Sequence, residues 1–259
     1  MNNYVIKQIN EYTYLLNDAD LCTSYLIVGK NKALLIDTGQ VESNNLKEEV
    51  RKITDKDIVV ALTHGHYDHI KHVNEFDKFY MSLKDEQIIA KNDKKLLEKA
   101  IDIKENISFD LGEVIIDTFL TKGHTPGTVI FVDKKAKIAY TGDQFGSGCG
   151  VWMQVSGASI LSEYIKEIDR FINYLLTYNN DKSEWKLYGG HYGQEYTSRL
   201  GVYNPLTIEL VENLKELSIK LINNEITLIE SNAKQFENEQ SYYCNYKNAE
   251  MIIRKSLIK

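Results

Sequence analysis

Apolar positions in the first part of the chain occur in short blocks separated by polar turns, a pattern typical of β-strands. The blocks cover residues 12–16, 25–28, 33–36 and 57–63. Gly29-Lys30-Asn31 separates the second block from the third, so we expect a hairpin there. A helix is expected over residues 42–52.

Later segments alternate between strand-like and helix-like periodicity. Strands are expected within 113–140 and over 185–188, and a polar helix over 84–99. Apolar residues at i, i+3 and i+4 spacing predict an amphipathic helix over 157–178, and the leucines after Pro205 predict another. Many grouped strands with few helices favour antiparallel or mixed sheets covered by helices over alternating βαβ units.

Length and composition bound the class of protein. At 259 residues, with 43% hydrophobic and 26% charged residues, the chain has the composition of a globular protein that buries a full core. We predict one domain over residues 1–259, with a short helical extension from about residue 205. Neither a bilayer-spanning apolar run nor a secretory signal is recognisable, so we expect a cytoplasmic protein without a membrane partner.

Charge and cysteine content narrow the choice of partners. The formal net charge of -6 disfavours non-specific nucleic-acid binding, so no nucleic-acid partner is expected. Cys22, Cys149 and Cys244 are far apart and are expected to be ordinary thiols of a reducing compartment. No oligomeric state follows from the sequence.

The segment T-H-G-H-Y-D-H-I, residues 63–70, concentrates ligand-type side chains at the end of a predicted buried strand. Residues two apart on an extended segment point the same way, so His64 and His66 can bind one ion. Asp68 and His69 follow the strand end, where the chain can turn and aim at a second ion. Four such side chains within six residues would be a costly way to build an apolar core.

Three further ligand-type residues lie after strand-like segments. His124 is in KGHTPGT, Asp143 in YTGDQF and His191 in YGGHYG. The glycines and Pro126 allow tight loops that bring a side chain close to a site. The seven residues together suit two metal ions that share a carboxylate. They are His64, His66, Asp68, His69, His124, Asp143 and His191.

The order of these motifs, over about residues 12–195, resembles the metallo-β-lactamase superfamily of binuclear metallohydrolases. The resemblance implies an α+β fold, a four-layer αββα sandwich with the metals at the edge of the two sheets. It also implies ligand roles: His64, His66 and His124 on one ion, Asp68, His69 and His191 on the other, and Asp143 as the bridge. Asp37 of LLIDTG matches a family segment too, either as a partner that orients a ligand histidine or as a plain turn residue.

Two divalent ions about 3.5–4 Å apart can hold a bridging hydroxide, because metal coordination lowers the pKa of water to about 7. Such a hydroxide is a nucleophile at neutral pH. By family analogy, Asp68 both holds a metal and relays a proton to the leaving group. Zinc suits a histidine-rich set of ligands, and iron or manganese is an alternative.

The bond that is cleaved is less closely defined. Hydrolysis of β-lactam antibiotics is not expected, since the β-lactamases of this family commonly carry a cysteine or lack the carboxylate where Asp143 stands. The sequence resembles the branch that contains hydroxyacylglutathione hydrolases (glyoxalase II) and lactonases. This implies a small-molecule substrate with a carboxylic ester, lactone or thioester. The alternatives are a phosphodiesterase or nuclease-type metallohydrolase and, third, a non-catalytic metal-binding protein.

Two features near the motifs have no assigned family role. The segment 146–153 follows Asp143 directly and contains Trp152, so we expect it to form part of a lip around the substrate. His72, three residues after His69, is expected to be solvated or to support a ligand from behind.

Overall fold

A computed structural model describes residues 4–18, 21–41, 45–105, 107–147, 150–192 and 204–259 of the chain. Its strands are β1 Val5–Gln8, β2 Thr13–Asn17, β3 Thr23–Val28, β4 Lys32–Ile36, β5 Asp57–Ala61, β6 Phe79–Met81, β7 Ala100–Asp102, β8 Ser108–Asp110, β9 Ile115–Leu120, β10 Val129–Asp133, β11 Ile138–Gly142, β12 Val151–Trp152, β13 Lys186–Gly189, β14 Ile229–Glu230, β15 Ser241–Tyr246 and β16 Ala249–Arg254. Its helices are α1 Leu46–Arg51, α2 Tyr67–Ile70, α3 Glu86–Asp93, α4 Leu161–Leu176 and α5 Ile208–Ile222.

Two mixed sheets face each other. Within the described chain, the first has the order β1-β2-β3-β4-β5-β6-β7 and the second the order β13-β11-β10-β9-β8. Apolar side chains from both sheets share one core, in which the rings of Tyr25 and Tyr140 lie 4.9 Å apart between centroids. The two sheets therefore form the inner layers of the molecule.

Helices cover the outer face of each sheet. Leu46 of α1 and Ile89 of α3 belong to the apolar cluster that covers the first sheet. Ile168 of α4 and Leu214 of α5 belong to the cluster that covers the second. The layers follow the order helix, sheet, sheet, helix, so the expected αββα sandwich is confirmed.

Most elements expected from periodicity are present. The hairpin around residues 29–31 joins β3 and β4, which pair antiparallel with Val28 opposite Ala33. The amphipathic helix expected over 157–178 is α4. The polar helix expected over 84–99 is α3, which continues as the 3-10 helix Lys94–Glu98. The helix predicted over 42–52 begins at Leu46, and residues 42–44 lie outside the described residues.

The prediction of a helical C-terminal extension is correct for α5 and wrong beyond it. Residues after α5 form β14, β15 and β16, which make a third sheet in the order β12-β16-β15-β14. Ala249, Met251 and Ile253 of β16 alternate along the strand and pack in the same core as α5. This two-residue period is the pattern of a strand with one buried face. Pairing of β12 with β16 also attaches the third sheet to the segment 146–153.

No helix among the residues that the structure describes is long and apolar enough to cross a lipid bilayer.

Candidate metal centre

All seven predicted ligand residues come together at one edge of the sandwich. The segment after β5 supplies four of them, and the connections that follow β9, β11 and β13 supply one each. Because β5 belongs to the first sheet and the other strands to the second, the site spans the seam between the sheets. The side chains form two groups, and the ligand atoms of each group lie within 4.8 Å of one another. The groups are His64, His66 and His124, and Asp68, His69, Asp143 and His191.

The first group consists of three imidazoles with converging nitrogens. His66 Nδ1 lies 3.1 Å from His64 Nε2 and 3.0 Å from His124 Nε2. Burial lowers the pKa of each ring below its ordinary value, and neighbouring histidines lower it further. The three rings are therefore neutral at neutral pH and have lone pairs available for a cation.

Hydrogen bonds behind two of these rings decide which nitrogen carries the proton. His124 Nδ1 lies 2.8 Å from the carbonyl oxygen of Trp152, which can only accept, so Nδ1 donates and Nε2 is free to bind an ion. His64 Nδ1 lies 3.0 Å from Thr63 Oγ1. The Thr63 hydroxyl already donates to Asp37 at 2.7 Å, and it therefore accepts from His64.

The second group places two carboxylates around two imidazoles. Asp143 Oδ2 lies 3.3 Å from His191 Nε2, 3.5 Å from His69 Nε2 and 3.7 Å from His124 Nε2. Asp143 thus lies between the two groups and faces histidines of both. Asp68 Oδ2 lies 3.4 Å from His191 Nε2, and its side chain, at 31% exposure, is the more open of the two carboxylates.

The electrostatics of the second group favour bound positive charge. Burial alone would lower the pKa of His69 and His191, but the nearby carboxylates, Asp143 foremost, outweigh burial and hold both pKa values well above the ordinary range. Burial alone would raise the pKa of Asp143, but the two histidines hold it well below its usual range. In the metal-free protein, protons on these two imidazoles balance the negative charge of the carboxylates. A bound divalent cation would supply this positive charge in their place.

The donor set fits bound divalent metal ions. His69 Nε2 and Asp143 Oδ1 are buried and have no hydrogen-bond partner among the described residues. Buried polar atoms without a partner are costly unless a ligand satisfies them. Imidazole nitrogens with a few carboxylate oxygens are the ligands that zinc and related transition metals prefer.

Asp37 connects the two groups from behind. Its Oδ1 accepts the Thr63 backbone N–H at 2.7 Å, and its Oδ2 lies 2.7 Å from Thr63 Oγ1 and 3.0 Å from His69 Nδ1. The residue is buried and has a φ of 59°, in the left-handed region that aspartate tolerates better than most side chains. These hydrogen bonds are the ones that the first of the two sequence interpretations, a partner that orients a ligand histidine, requires.

Asp85 is a supporting residue that sequence reasoning missed. Its buried carboxylate accepts hydrogen bonds from Gly65 N at 3.0 Å, Thr125 Oγ1 at 2.8 Å and Gly127 N at 2.6 Å. It therefore ties the loop of His64 and His66 to the loop of His124. No motif surrounds Asp85 in the sequence, so only the folded chain reveals this role.

Gly190 leaves room for the second group. A Cβ atom at this position would lie 2.5 Å from His69 Cε1 and 2.6 Å from Asp143 Oδ1. Both distances are shorter than real contacts allow, so a side chain here would displace two ligand residues.

His72 is buried rather than solvated, and both of its ring nitrogens face partners outside the predicted ligand set. Its Nδ1 lies 2.6 Å from Glu75 Oε1, and its Nε2 lies 2.7 Å from the Val41 carbonyl oxygen.

Cys22 and Cys244 are free thiols, as expected from the sequence. Cys22 lies behind His191, with its sulfur 3.5 Å from Nδ1, a contact that the sequence did not suggest. Burial raises the pKa of the Cys22 thiol to about 12. Cys149 is outside the described residues.

A cavity of about 680 Å³ opens over both groups. Five ligand residues line it: His66, Asp68, His124, Asp143 and His191. Apolar walls come from several elements, including Tyr67, Ile88, Trp152 and Phe236. Trp152 is 40% exposed, and Gly146, Ser147 and Gly150 also line the cavity, as expected for a lip; residues 148–149 are not described. Lys91 and Lys234 are the charged lining residues of the described chain other than the ligands.

The chain is similar to several known proteins. The family model for the metallo-beta-lactamase superfamily matches residues 17–81. An uncharacterised protein of Aquifex aeolicus (strain VF5) is 26% identical over 198 residues, 70% of this chain and 88% of the relative. A hydroxyacylglutathione hydrolase of Bartonella henselae is 25% identical over 194 residues, 72% of this chain and 70% of the relative. A solved metallo-beta-lactamase from Pontibacter korlensis has a TM-score of 0.58 at 17% identity, over 73% of this chain and 91% of that chain, a likeness of fold.

Proposed function

Because the chain belongs to the metallo-β-lactamase superfamily of metal-dependent hydrolases, we propose that it cleaves a carboxylic ester, lactone or thioester at a centre of two divalent ions. The observation that carries the proposal is the position of Asp143. Its carboxylate faces histidines of both groups at 3.3–3.7 Å, as a ligand shared by two ions would. We propose zinc for both ions, with iron or manganese as substitutes.

The first ion would be held by His64, His66 and His124, and the second by Asp68, His69 and His191. When bound, such ions lower the pKa of a water molecule and polarise the oxygen of the attacked carbonyl group. The chain's own part is to aim neutral imidazole nitrogens inward through Thr63, Asp37 and the Trp152 carbonyl.

Asp68 is proposed to move the proton. Its carboxylate lies at the cavity and is the more exposed of the two acidic groups. In hydrolysis, the oxygen of water forms a bond to the acyl carbon, and the bond from that carbon to the leaving oxygen or sulfur breaks. Asp68 takes a proton from the attacking water and delivers it to the leaving atom.

The cavity supports an acyl substrate of moderate size. Its apolar walls suit a hydrocarbon or aromatic portion, and its volume lies in the range of small-molecule sites. Lys91 and Lys234 place positive charge among its lining residues, which favours a substrate with a carboxylate away from the cleaved bond. The name of the Bartonella henselae relative, a hydroxyacylglutathione hydrolase, favours the thioester among the three bond types.

Initial rates on a panel of substrates test this function. Protein reconstituted with Zn²⁺ is assayed on a lactone, a thioester with and without a carboxylate, a β-lactam and a phosphodiester, each with and without chelator. We expect chelator-sensitive hydrolysis of the thioester or lactone, with the carboxylate-bearing thioester preferred. Asp143→Ala should abolish it, whereas Asp133→Ala, which removes a buried aspartate elsewhere in the second sheet, should retain specific activity in the folded fraction.

Other outcomes would select the alternatives. Activity on the phosphodiester alone would contradict acyl hydrolysis and favour a nuclease-type enzyme. Metal-loaded protein that is inert on every substrate would favour a non-catalytic metal-binding role.

A further inference from the structure

We propose that Arg254 is a positioning residue for the substrate. It holds the segment 231–240 at the cavity, where Phe236 and Lys234 contact the part of the substrate that lies away from the cleaved bond. The inference rests on the proposed hydrolysis of an acyl bond. It adds a determinant of substrate size in the third sheet, outside the metal centre.

The segment 231–240 connects β14 to β15 and carries a tight turn directly after Phe236. Glu239 N donates to the Phe236 carbonyl oxygen at 3.1 Å, and Glu237 and Asn238 between them have φ values of 56° and 58°. Two successive residues in the left-handed region are the mark of a type I′ turn. Because such a turn is tight, a contact that holds Glu237 also restrains the neighbouring Phe236.

Arg254 in β16 makes that contact. Its Nη1 donates to Glu237 Oε2 and lies 3.9 Å from Glu239 Oε2. Its Nη2 donates to the Val155 carbonyl oxygen at 3.4 Å. Val155 lines the cavity just after the lip formed by residues 146–153. One guanidinium group therefore joins two stretches of chain that line the cavity.

Stability alone does not account for a buried arginine at this position. The Arg254 side chain is 4% exposed, and its Nε is buried without a hydrogen-bond partner among the described residues. An apolar side chain of similar size is often at least as stabilising as a buried ion pair. Arginine differs from such a side chain in its several fixed N–H donors, which here reach both the Glu237 carboxylate and the Val155 carbonyl oxygen.

The segment 231–240 is attached to the third sheet and not to the metal ligands. Ser231 N donates to the Ser241 carbonyl oxygen at 3.0 Å, and Ser256 N donates to Glu239 Oε1 at 2.9 Å. In the described part of the chain, no hydrogen bond joins this segment to a predicted ligand side chain. Loss of Arg254 should therefore loosen the substrate wall while leaving the metal centre intact.

The test compares steady-state kinetics on three thioesters, with the full chain loaded with Zn²⁺. S-methyl thioacetate is the small probe and fills only a small part of a cavity of about 680 Å³. N-benzoyl-S-acetylcysteine carries an aromatic ring and a carboxylate in its thiol part, and the S-methyl monothioester of phenylsuccinic acid carries both in its acyl part. Wild-type protein should bind one of the two large probes with a lower KM than the small probe.

Arg254→Met removes the guanidinium group but retains an unbranched apolar side chain. We expect the KM for the preferred large probe to rise about tenfold, the effect of a lost apolar contact in a substrate pocket. The kcat for that probe and both constants for S-methyl thioacetate should be unchanged, because only substrate binding is affected. Phe236→Ala should give the same pattern, and Arg254→Lys should restore part of the lost affinity through its charge.

Glu237→Gln tests the same contact from its exposed side, and Lys215→Met is the matched control. Glu237 is 50% exposed, so its replacement leaves the core in place and should raise the same KM by a smaller factor. Lys215 of α5 pairs with Asp169 of α4 at 2.7 Å, and Asp169 is 48% exposed. Neither residue lines the cavity, so Lys215→Met should leave all constants unchanged. Denaturant unfolding establishes that each variant is folded under the assay conditions.

Three results overturn the inference alone. The first is a KM for the large probe that neither Arg254→Met nor Glu237→Gln changes. The second is an equal rise in KM for S-methyl thioacetate, and the third is an equal rise in Lys215→Met. Wild-type protein that hydrolyses none of the three thioesters and no lactone would instead contradict the proposed function, and the inference would fall with it.

Discussion

At the scale of single residues, the centre depends on which nitrogen of each ring carries a proton. Asp37 controls this for two histidines, directly for His69 and through Thr63 for His64. One carboxylate therefore orients a histidine in each group, although it belongs to neither group itself.

Asp37→Asn tests this control. Asparagine retains the size of aspartate and tolerates a positive φ. Its amide oxygen can replace only one carboxylate oxygen, and its amide nitrogen is a donor that accepts from neither Thr63 nor His69. We expect metal affinity to fall about 10–100-fold. A chelator competition assay measures it. Asp133→Asn, at a buried aspartate that accepts from Tyr12 and Ala136, should reduce stability without changing metal affinity. Equal metal affinity in wild type and Asp37→Asn would contradict the role.

Trp152 has two separable roles. Its backbone carbonyl holds His124, and its side chain lines the cavity. Trp152→Ala removes only the side chain, so we expect KM to rise by about tenfold or more, since burying an aromatic ring is worth over 1.4 kcal/mol. Metal content should not change. Unchanged KM and kcat would show that this residue is not part of the substrate lip.

The ligand residues themselves were accessible to sequence reasoning because ligand chemistry limits residue types and spacing. Of the residues behind them, Asp37 was suggested only by the family resemblance. Cys22 and Asp85 reach the ligands or their loops only through the fold, across as many as 169 positions for Cys22 and His191. A common side chain in an ordinary segment carries no local signal of such a contact.

At the scale of elements, the site is a set of loops that two sheets present at one edge. Asp85, just before α3, accepts hydrogen bonds from two of these loops. The link adds to a backbone hydrogen bond between the sheets, which Val129 N of β10 donates to the Thr63 carbonyl oxygen after β5 at 2.7 Å.

Asp85→Asn should therefore destabilise the protein. An amide in place of the carboxylate turns one acceptor into a donor that faces the backbone N–H of Gly65 or Gly127. Loss of a buried hydrogen bond of this kind costs about 1–3 kcal/mol in the free energy of unfolding. Denaturant unfolding measures the loss. Asp93→Asn, at a partly exposed helix cap, should cost only a few tenths of a kcal/mol. Equal losses in the two variants would contradict the link.

Elements with a clear period were predictable, and short or late ones were not. The β3–β4 hairpin, α4 and α5 follow directly from apolar spacing. β6, β7 and β8 have three residues each, too few to establish a period. The C-terminal strands were missed because the helical period of α5 was extended past its end at Ile222.

At the scale of the whole molecule, the centre concentrates titratable groups whose pKa values move in opposite directions. The pKa values of His64, His66 and His124 are lowered, and those of His69 and His191 are raised. In the unfolded chain, all five titrate near about 6.5. On unfolding, the metal-free protein therefore takes up protons at the first three histidines and releases protons from the other two.

The signs predict a stability maximum for metal-free protein near about pH 6.5. Below that pH, protons bind to His64, His66 and His124 in the unfolded chain but not in the folded protein, so stability falls as the pH drops. Above it, the folded protein keeps protons on the second group that the unfolded chain has released, so stability falls as the pH rises through their folded pKa values. Bound Zn²⁺ replaces those protons and should remove the alkaline loss. Denaturant unfolding at a series of pH values, with and without Zn²⁺, measures the free energy of unfolding. If this free energy fell equally with and without Zn²⁺ as the pH rose above about 6.5, the prediction would be contradicted.

The proposed reaction requires two bound ions that act together to hydrolyse an acyl bond. The most direct measurement titrates metal-free protein with Zn²⁺ and follows the initial rate on the preferred thioester or lactone at each addition. We expect a rate that reaches its plateau at two ions per chain and returns to background with chelator. A plateau at one ion, or hydrolysis that metal removal leaves unchanged, would contradict it.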